Sequence, residues 1–280
     1  MEEQPAMVRG NLNRLLEKVH AERGLDLHQF RRRYVERRIA VRLNHLGLNT
    51  YSQYSTFLDA HPEEYLKLLD ALTINVTQFF RDPSVYKVVR DEVVPAVLKA
   101  KLDRRQRLVR VWSAGCATGE EPYSLAMAFL DGMLRLGAAE TVLSVVGTDI
   151  DRDALAFAKR GEFPIRELAH IPHSDRIRYI EVHGDHFRFK PEIARAVRFQ
   201  YLNLFADTPI HGIDVIFCRN VFIYFNRQDQ ERIIGAFRQS LVRGGFLVLG
   251  RSERLSTAMS RDFELVSARE RVYRKPMNLL

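Results

Sequence analysis

Arg110-Val111-Trp112-Ser113-Ala114-Gly115-Cys116-Ala117-Thr118-Gly119-Glu120-Glu121-Pro122-Tyr123-Ser124 is the stretch on which the reading of this chain turns. An apolar run, Leu108 to Trp112, leads into a turn of small residues, Ser113 to Thr118, and then into an apolar-periodic segment from about Gly119 to Leu136. Strand, glycine turn and helix are how an α/β protein opens a small-molecule site. A glycine such as Gly115 lets a ligand approach the backbone, and the first N–H groups of the helix are left aimed at it. Gly115 and Gly119 lack the full dinucleotide spacing. Glu120 and Glu121 fall in the first helical turn, where they would repel a pyrophosphate, so a cofactor carrying several phosphates is disfavoured and one with little anionic charge stays open. A purely structural reading stays open beside this one: Thr118 and Glu121 make a capping box, and both acids merely suit the helix dipole.

Upstream, residues 7 to 103 read as helical throughout, with apolar spacing at three and four (Leu12, Leu15, Leu16, Val19) and turn signals near Gly24, Gly47 to Asn49 and His61-Pro62. A helix beginning near Asp26 carries Arg31, Arg32, Arg33, Arg37, Arg38 and Arg42, with Phe30, Tyr34, Ile39 and Leu43 as its apolar side. Only Glu36 interrupts the positive charge, and the run reads either as a solvated face or as a docking surface for an acidic partner. The segment Thr73 to Asp82 separates two helices and sets Asn75, Thr77 and Arg81 among apolar neighbours. It is either a capped linker or a strap across a pocket, with Arg81 able to fork onto a carboxylate.

Downstream of a basic joint at Arg104 to Arg107, strands and helices alternate. Leu143 to Val146 leads into Gly147-Thr148-Asp149 and a helix from Asp151 to Lys159. Residues 161 to 199 break the rhythm with a hairpin, Arg178 to Val182 and His186 to Lys190 about His183-Gly184-Asp185. Strands resume at Val197 to Tyr201, before Asn203-Leu204, and at Ile213 to Phe217, before Cys218-Arg219-Asn220. A helix from Arg227 to Arg243, a strand from Phe246 to Gly250 and a last strand from Phe263 to Arg274 close the chain. Repeated units of this kind predict a mostly parallel sheet of about seven strands with helices on both faces and all strand tips on one edge. Asp149 then ends the second strand beside the glycine turn and is suited to accept both hydroxyls of a ribose, since Asp151 already serves as the helix cap.

Composition narrows the function. The 280 residues are 46% apolar and 28% charged, enough for one large or two modest cores, and the net charge of +8 points to an acidic partner. No apolar run reaches the roughly 18 residues of a membrane span, and the acidic start Met-Glu-Glu-Gln is not signal-like, so a cytoplasmic protein without membrane insertion is expected. Cys116 and Cys218 offer neither a metal spacing nor a disulfide framework, and no metal is expected.

Four pieces in order, Asn75 to Arg81, Trp112 to Ser124, Thr148 to Asp151 and Ile216 to Phe225, resemble the chemotaxis receptor glutamate methyltransferases, the CheR family. The resemblance implies a Rossmann-like methyltransferase domain with a small β-subdomain, preceded by an all-α domain that helps to hold the receptor. The boundaries expected are 1–82 for the helical domain, 83–107 for a helical linker and 108–280 for the methyltransferase domain, with the β-subdomain at about 161–199. It implies S-adenosylmethionine as methyl donor, leaving S-adenosylhomocysteine, and the γ-carboxylate of receptor glutamates as acceptor. Cofactor-pocket residues would be Asn75, Thr77, Arg81, Glu120, Asp149, Asn203, Leu204, Asn220 and Val221, with Gly115 in the turn beneath. Tyr224 resembles the tyrosine near the transferring methyl and, with Arg81, is the expected catalytic pair. The partners implied are acidic cytoplasmic helices of chemoreceptors, met by the arginines between Arg31 and Arg42.

Some family members hold a tether peptide of the receptor with a longer hairpin. The turn at His183-Gly184-Asp185 looks short, so direct binding to the receptor helices, independent of the tether, is expected. A nucleic-acid methyltransferase would share the fold and the basic charge, but Arg219-Asn220-Val221-Phe222 stands where amino-group methylases carry Asn/Asp-Pro-Pro-aromatic. The intact set Asn75, Arg81, Glu120, Asp149 and Asn220 argues against a catalytically silent docking module.

Overall fold

Strand β1, Leu108–Ala114, has β2, Val142–Asp149, on one side and β7, Ile213–Cys218, on the other, and both pair with it in parallel. The chain runs outward from β1 to β2 and on to β6, Val197–Tyr201, then returns across the sheet to β7. Reversal of the winding direction therefore falls between β1 and β7, where two connections leave in opposite senses and open a crevice at the strand tips. This is a computed structural model, and it describes residues 11–23, 26–72, 75–138 and 140–277. The turn signal at Gly24 and the expected helical residues 7–10 lie outside the described residues.

Among the described residues, seven strands form the main sheet in the order β6-β2-β1-β7-β8-β10-β9, where β8 is Leu241–Leu249, β9 Glu264–Ser267 and β10 Val272–Arg274. The first five are parallel and β10 and β9 run antiparallel at one edge. Two expectations need correction here. The single strand expected over Phe263 to Arg274 is a hairpin, β9 and β10, because Arg271 takes a left-handed φ of 53° that reverses the chain. The helix expected to reach Arg243, α11, spans Arg227–Ser240, since Leu241 already pairs with Ile213.

Both sheet faces are covered. Val109, Val111, Val145, Val215, Phe217 and Val248 pack in one core with Leu125, Met127 and Phe129 of α7, Glu120–Arg135. The same core takes in α5, Pro83–Val88, a π-helical turn, Val89–Val93, and α6, Val94–Asp103, through Tyr86, Val93 and Val97. These helices, read from sequence as a linker, thus bury their apolar side in the sheet's own core. Trp112 is fully buried: its Nε1 donates to Thr148 Oγ1 at 2.9 Å and its ring meets Phe237 edge-on at 5.2 Å.

Residues 162–196 form the expected small β element, between β2 and β6 in the chain. After α8, Arg152–Arg160, strands β3 (Glu162–Pro164), β4 (Ile180–His183) and β5 (His186–Phe189) make an antiparallel sheet in the order β3-β5-β4. Phe163, Phe187 and Phe189 join the main core beside Tyr123.

By contacts the chain divides into two units, residues 75–223 with 230–277 as one and the residues up to 72 with 224–229 as the other. Within the second of these, α1 (Leu12–Arg23), α2 (Arg32–Leu46), α3 (Tyr51–Ala60) and α4 (Glu64–Leu72) enclose their own core of Leu15, Leu16, Ile39, Leu43, Tyr54, Leu58 and Leu68. The helix expected from Asp26 is two pieces: Asp26 caps a 3-10 turn, Leu27–Gln29, and α2 starts at Arg32 after Phe30 makes a bridge to Phe225. Arg42 is joined to Glu64, which is 1% exposed, through two bonds of 2.8 Å, and Tyr54 donates to the same carboxylate at 3.0 Å.

Candidate active site at the strand tips

At the tip of β1 the chain turns sharply because Gly115 adopts a φ of 78°. The N–H groups of Gly115 and Cys116 both donate to Thr148 O, at 2.8 and 3.0 Å, and so tie this turn to the end of β2. A Cβ on Gly115 would stand 2.5 Å from Val221 Cγ2, so glycine is what lets the turn beyond β7 close over it. Ala117 and Gly119 also have positive φ, and α7 starts without a side-chain cap. The capping box read from Thr118 and Glu121 does not form. Thr118 Oγ1 donates instead to Glu120 Oε2 at 2.7 Å, while Glu121 accepts from Ser113 Oγ at 2.8 Å.

Asp149 ends β2 with its carboxylate turned to the glycine turn: Oδ2 accepts from Ala117 N at 2.8 Å and Oδ1 from Asp151 N at 3.0 Å. A carboxylate has about four acceptor sites, so two N–H bonds leave capacity for hydroxyls. Burial pushes its pKa up, against the pull of the two backbone N–H groups. Asp151 caps α8 through Asp153 N and Ala154 N, as expected, and its other oxygen takes the Asn75 amide at 2.7 Å. Asn75 is thereby fastened beside the second tip. Glu120 is 7% exposed, and burial raises its pKa as well.

Leu202 N donates to Asp149 O at 3.1 Å, which fixes the Asn203-Leu204 turn next to the same tip. Asn203 Oδ1 accepts from Phe205 N at 3.0 Å. Beyond β7, Asn220 stands at φ 60° and its Oδ1 is buried with no hydrogen-bond partner among the described residues. Arg81 is half-buried, and Nη1 donates to Val76 O at 3.0 Å; Thr77 between them is half-buried. Tyr224 closes a 3-10 turn, Phe222–Tyr224, and belongs by contacts with the helical unit, where its ring lies 4.8 Å from that of Tyr34 and its carbonyl accepts from Arg31 N at 2.8 Å.

Sequence reasoning missed Arg219 and Glu253. Arg219 is 6% exposed; it donates to the Arg81 carbonyl at 3.0 Å and pairs with Asp82. Glu253 is 5% exposed and accepts from Gly250 N at 2.6 Å, Asn220 N at 3.0 Å and Phe222 N at 2.8 Å. Only the adjacency of Arg219 to Asn220 in the sequence hinted at either. Both cysteines are buried, and burial pushes their thiols well above the ordinary value, so neither is an activated nucleophile.

The α2 arginines differ among themselves. Arg33 and Arg37 are exposed; Arg32 pairs with Glu36 at 2.9 Å; Arg31 Nε donates to Phe225 O at 3.1 Å; Arg38 is half-buried over the Tyr34 ring; and Arg42 is committed to Glu64.

A parallel sheet of this strand order, with a glycine turn after β1 and an acid ending β2, opens a small-molecule site at its strand tips. The chain belongs to the CheR methyltransferases: the family model for the SAM-binding domain matches residues 75–272 and that for the all-alpha domain residues 10–73. It is 34% identical over 264 residues to the chemotaxis protein methyltransferase of Escherichia coli, covering 91% of this chain and 88% of that one. It is 32% identical over 251 residues to chemotaxis protein methyltransferase 2 of Pseudomonas aeruginosa, covering 88% and 86%. An uncharacterised 104.1 kDa protein of Rhodobacter capsulatus is 33% identical over 263 residues, which make up 94% of this chain but 27% of that protein.

Proposed function

We propose that this protein transfers the methyl group of S-adenosylmethionine to the γ-carboxylate of glutamates in the cytoplasmic part of chemoreceptors, forming glutamate methyl esters. The observation that carries the reading is the meeting of three strand tips: Gly115 lies between the tip that carries Asp149 and the turn that carries Asn220, whose buried Oδ1 is an acceptor without a donor among the described residues. Such a set of acceptors fits a ligand rich in hydroxyl and ammonium hydrogens. S-adenosylmethionine supplies, when bound, a methyl group on a sulfonium that a carboxylate oxygen attacks directly.

The work left to the chain is alignment. A glutamate is already ionised at neutral pH, so its attack needs no general base, and orientation in line with the methyl supplies the rate. Asp149 holds the ribose hydroxyls and Arg81 the cofactor's carboxylate. Glu120 complements its positive charge, while Asn203 and Leu204 line the pocket beside it. Asn75, Thr77, Asn220 and Val221 complete the wall. Tyr224, four residues after Asn220, orients the acceptor oxygen. The protein acts in the cytoplasm, where the receptor helices lie.

Arg33 and Arg37 lead the docking face for those acidic helices, with Arg31, Arg32 and Arg38 beside them; Arg42 serves the fold. Tether independence is part of the same proposal, supported by the two-residue turn Gly184-Asp185 between β4 and β5. Saturable capture of a receptor tether pentapeptide, lost on changing residues 182–187, overturns that point. For the function itself, labelled S-adenosylmethionine incubated with cytoplasmic receptor fragments should leave base-labile label on the receptor. Label on RNA supplied in parallel, or none on the receptor, overturns it.

A further inference from the structure

Arg81 sits in a backbone that needs holding. Its neighbours on both sides, Phe80 and Asp82, have left-handed φ of 50° and 57°, a conformation that non-glycine residues keep only when their surroundings over-determine it. Phe80 is held by Ser124, whose Oγ accepts its N–H at 2.9 Å. The carbonyl of Arg81 and the carboxylate of Asp82 are held by one side chain, Arg219, through Nη1 at 3.0 Å and through Nη2. Nη1 also lies 3.6 Å from Glu121 Oε2, and the other Glu121 oxygen accepts from Ser113 Oγ at 2.8 Å.

One buried guanidinium thus joins the 80–82 turn, the first turn of α7, the tip of β1 and the tip of β7. Its own backbone is braced, because the next residue, Asn220, donates its N–H to Glu253 at 3.0 Å. The fork geometry of arginine suits this, since two donors from one plane meet a carbonyl and a carboxylate together; a lysine ammonium is a point charge. Nε of Arg219 is buried without a partner among the described residues, a cost that packing alone would not retain.

We propose that Arg219 is a positioning residue: it touches neither cofactor nor acceptor, and it sets the direction in which Arg81 presents its guanidinium to the cofactor's carboxylate. This rests on the reading of Arg81 given above. Removing Arg219 frees the Arg81 carbonyl and Asp82, the left-handed turn relaxes, and the charge of Arg81 is lost to the carboxylate even though Arg81 is still present.

The test compares two ligands by calorimetry: S-adenosylhomocysteine, which carries the amino-acid carboxylate, and 5′-methylthioadenosine, which keeps the adenine and ribose but lacks it. Arg219→Met should weaken S-adenosylhomocysteine roughly 10- to 100-fold, the size seen when supporting partners of a binding group are removed, and leave 5′-methylthioadenosine within about twofold. Arg81→Met should do the same, and the double variant should be no weaker than Arg81→Met alone, because both remove one interaction. Arg219→Lys keeps the buried charge and Asp82→Asn removes only the part-exposed carboxylate while leaving its shape, and thermal melts report their folding. They should show the same ligand-selective loss at smaller size, and they carry the test if Arg219→Met does not fold. Equal loss for both ligands, or additive losses in the double variant, overturns the positioning role. Unchanged S-adenosylhomocysteine affinity in folded Arg81→Met overturns instead the reading of Arg81 on which it rests.

Discussion

Charge is handled in opposite ways at the strand tips and along α2. At the tips, Asp149, Glu121, Arg219 and Glu253 are largely or wholly withdrawn from solvent, and each is met by specific N–H, hydroxyl or carboxylate groups at defined distances. Along α2, Arg33 and Arg37 stand in water, while one turn further on Arg42 is drawn into the helical core by Glu64. Buried charges act over single bonds in a low-dielectric setting and tolerate no displacement. Exposed ones act together over about a Debye length and tolerate individual loss. A cofactor pocket calls for the first kind, and the docking face proposed for α2 calls for the second.

The comparison breaks first, if it breaks, at Asp149. Asp149→Ala should weaken S-adenosylhomocysteine binding roughly 100-fold or more, with two charge-assisted hydrogen bonds removed, and calorimetry at low and high salt should read the same loss. The acid dependence has a definite sign. Burial raises the Asp149 pKa above its ordinary 3.8, and only the ionised form accepts both ribose hydroxyls. Affinity is therefore level at neutral pH and falls as pH drops through that raised value, and calorimetry of Asp149→Asn should lack this limb. Affinity that is flat into acid in the parent protein would contradict the ribose role.

The α2 side sharpens the contrast. Arg42→Ala leaves the Glu64 carboxylate buried with Tyr54 alone, and should lower stability by about 2–3 kcal/mol in denaturant melts, at the low end for broken buried pairs because Arg42 is part-solvated. Arg37→Ala should stay within about 0.5 kcal/mol. The kinetic effect is the most diagnostic: Arg33→Glu with Arg37→Glu should slow receptor methylation about three- to tenfold at low ionic strength, with cofactor affinity untouched, and the deficit should close near 0.5 M salt. A methylation rate unchanged at low salt would remove α2 from the docking face.

How much of this was legible beforehand follows from the range of each interaction. The Gly115 turn, the Asp151 cap and the strand ending in Asp149 are written in neighbouring residues, so period and turn chemistry disclosed them. The α11 boundary was misread because Gly244-Gly245 looks like a helix stop, whereas the strand pairing of Leu241 with Ile213 ends the helix earlier. The capping box, one of the two readings left open, does not form because Ser113, on the strand before, competes successfully for Glu121. Arg219 and Glu253 were missed since the partners that tie them to the site lie far away in sequence.

The sequence by itself determined the class of fold and, through motifs that resemble a known family, the methyl donor, because alternation, glycine turns and contiguous motifs are local signals. Tertiary structure alone decided which charges are buried and joined. Arg42 and Arg37 look alike in the chain and differ only through Glu64, and the 80–82 turn is held by a guanidinium 137 residues away from Asp82. Burial and long-range pairing are properties of the folded neighbourhood, and a residue's identity does not contain them.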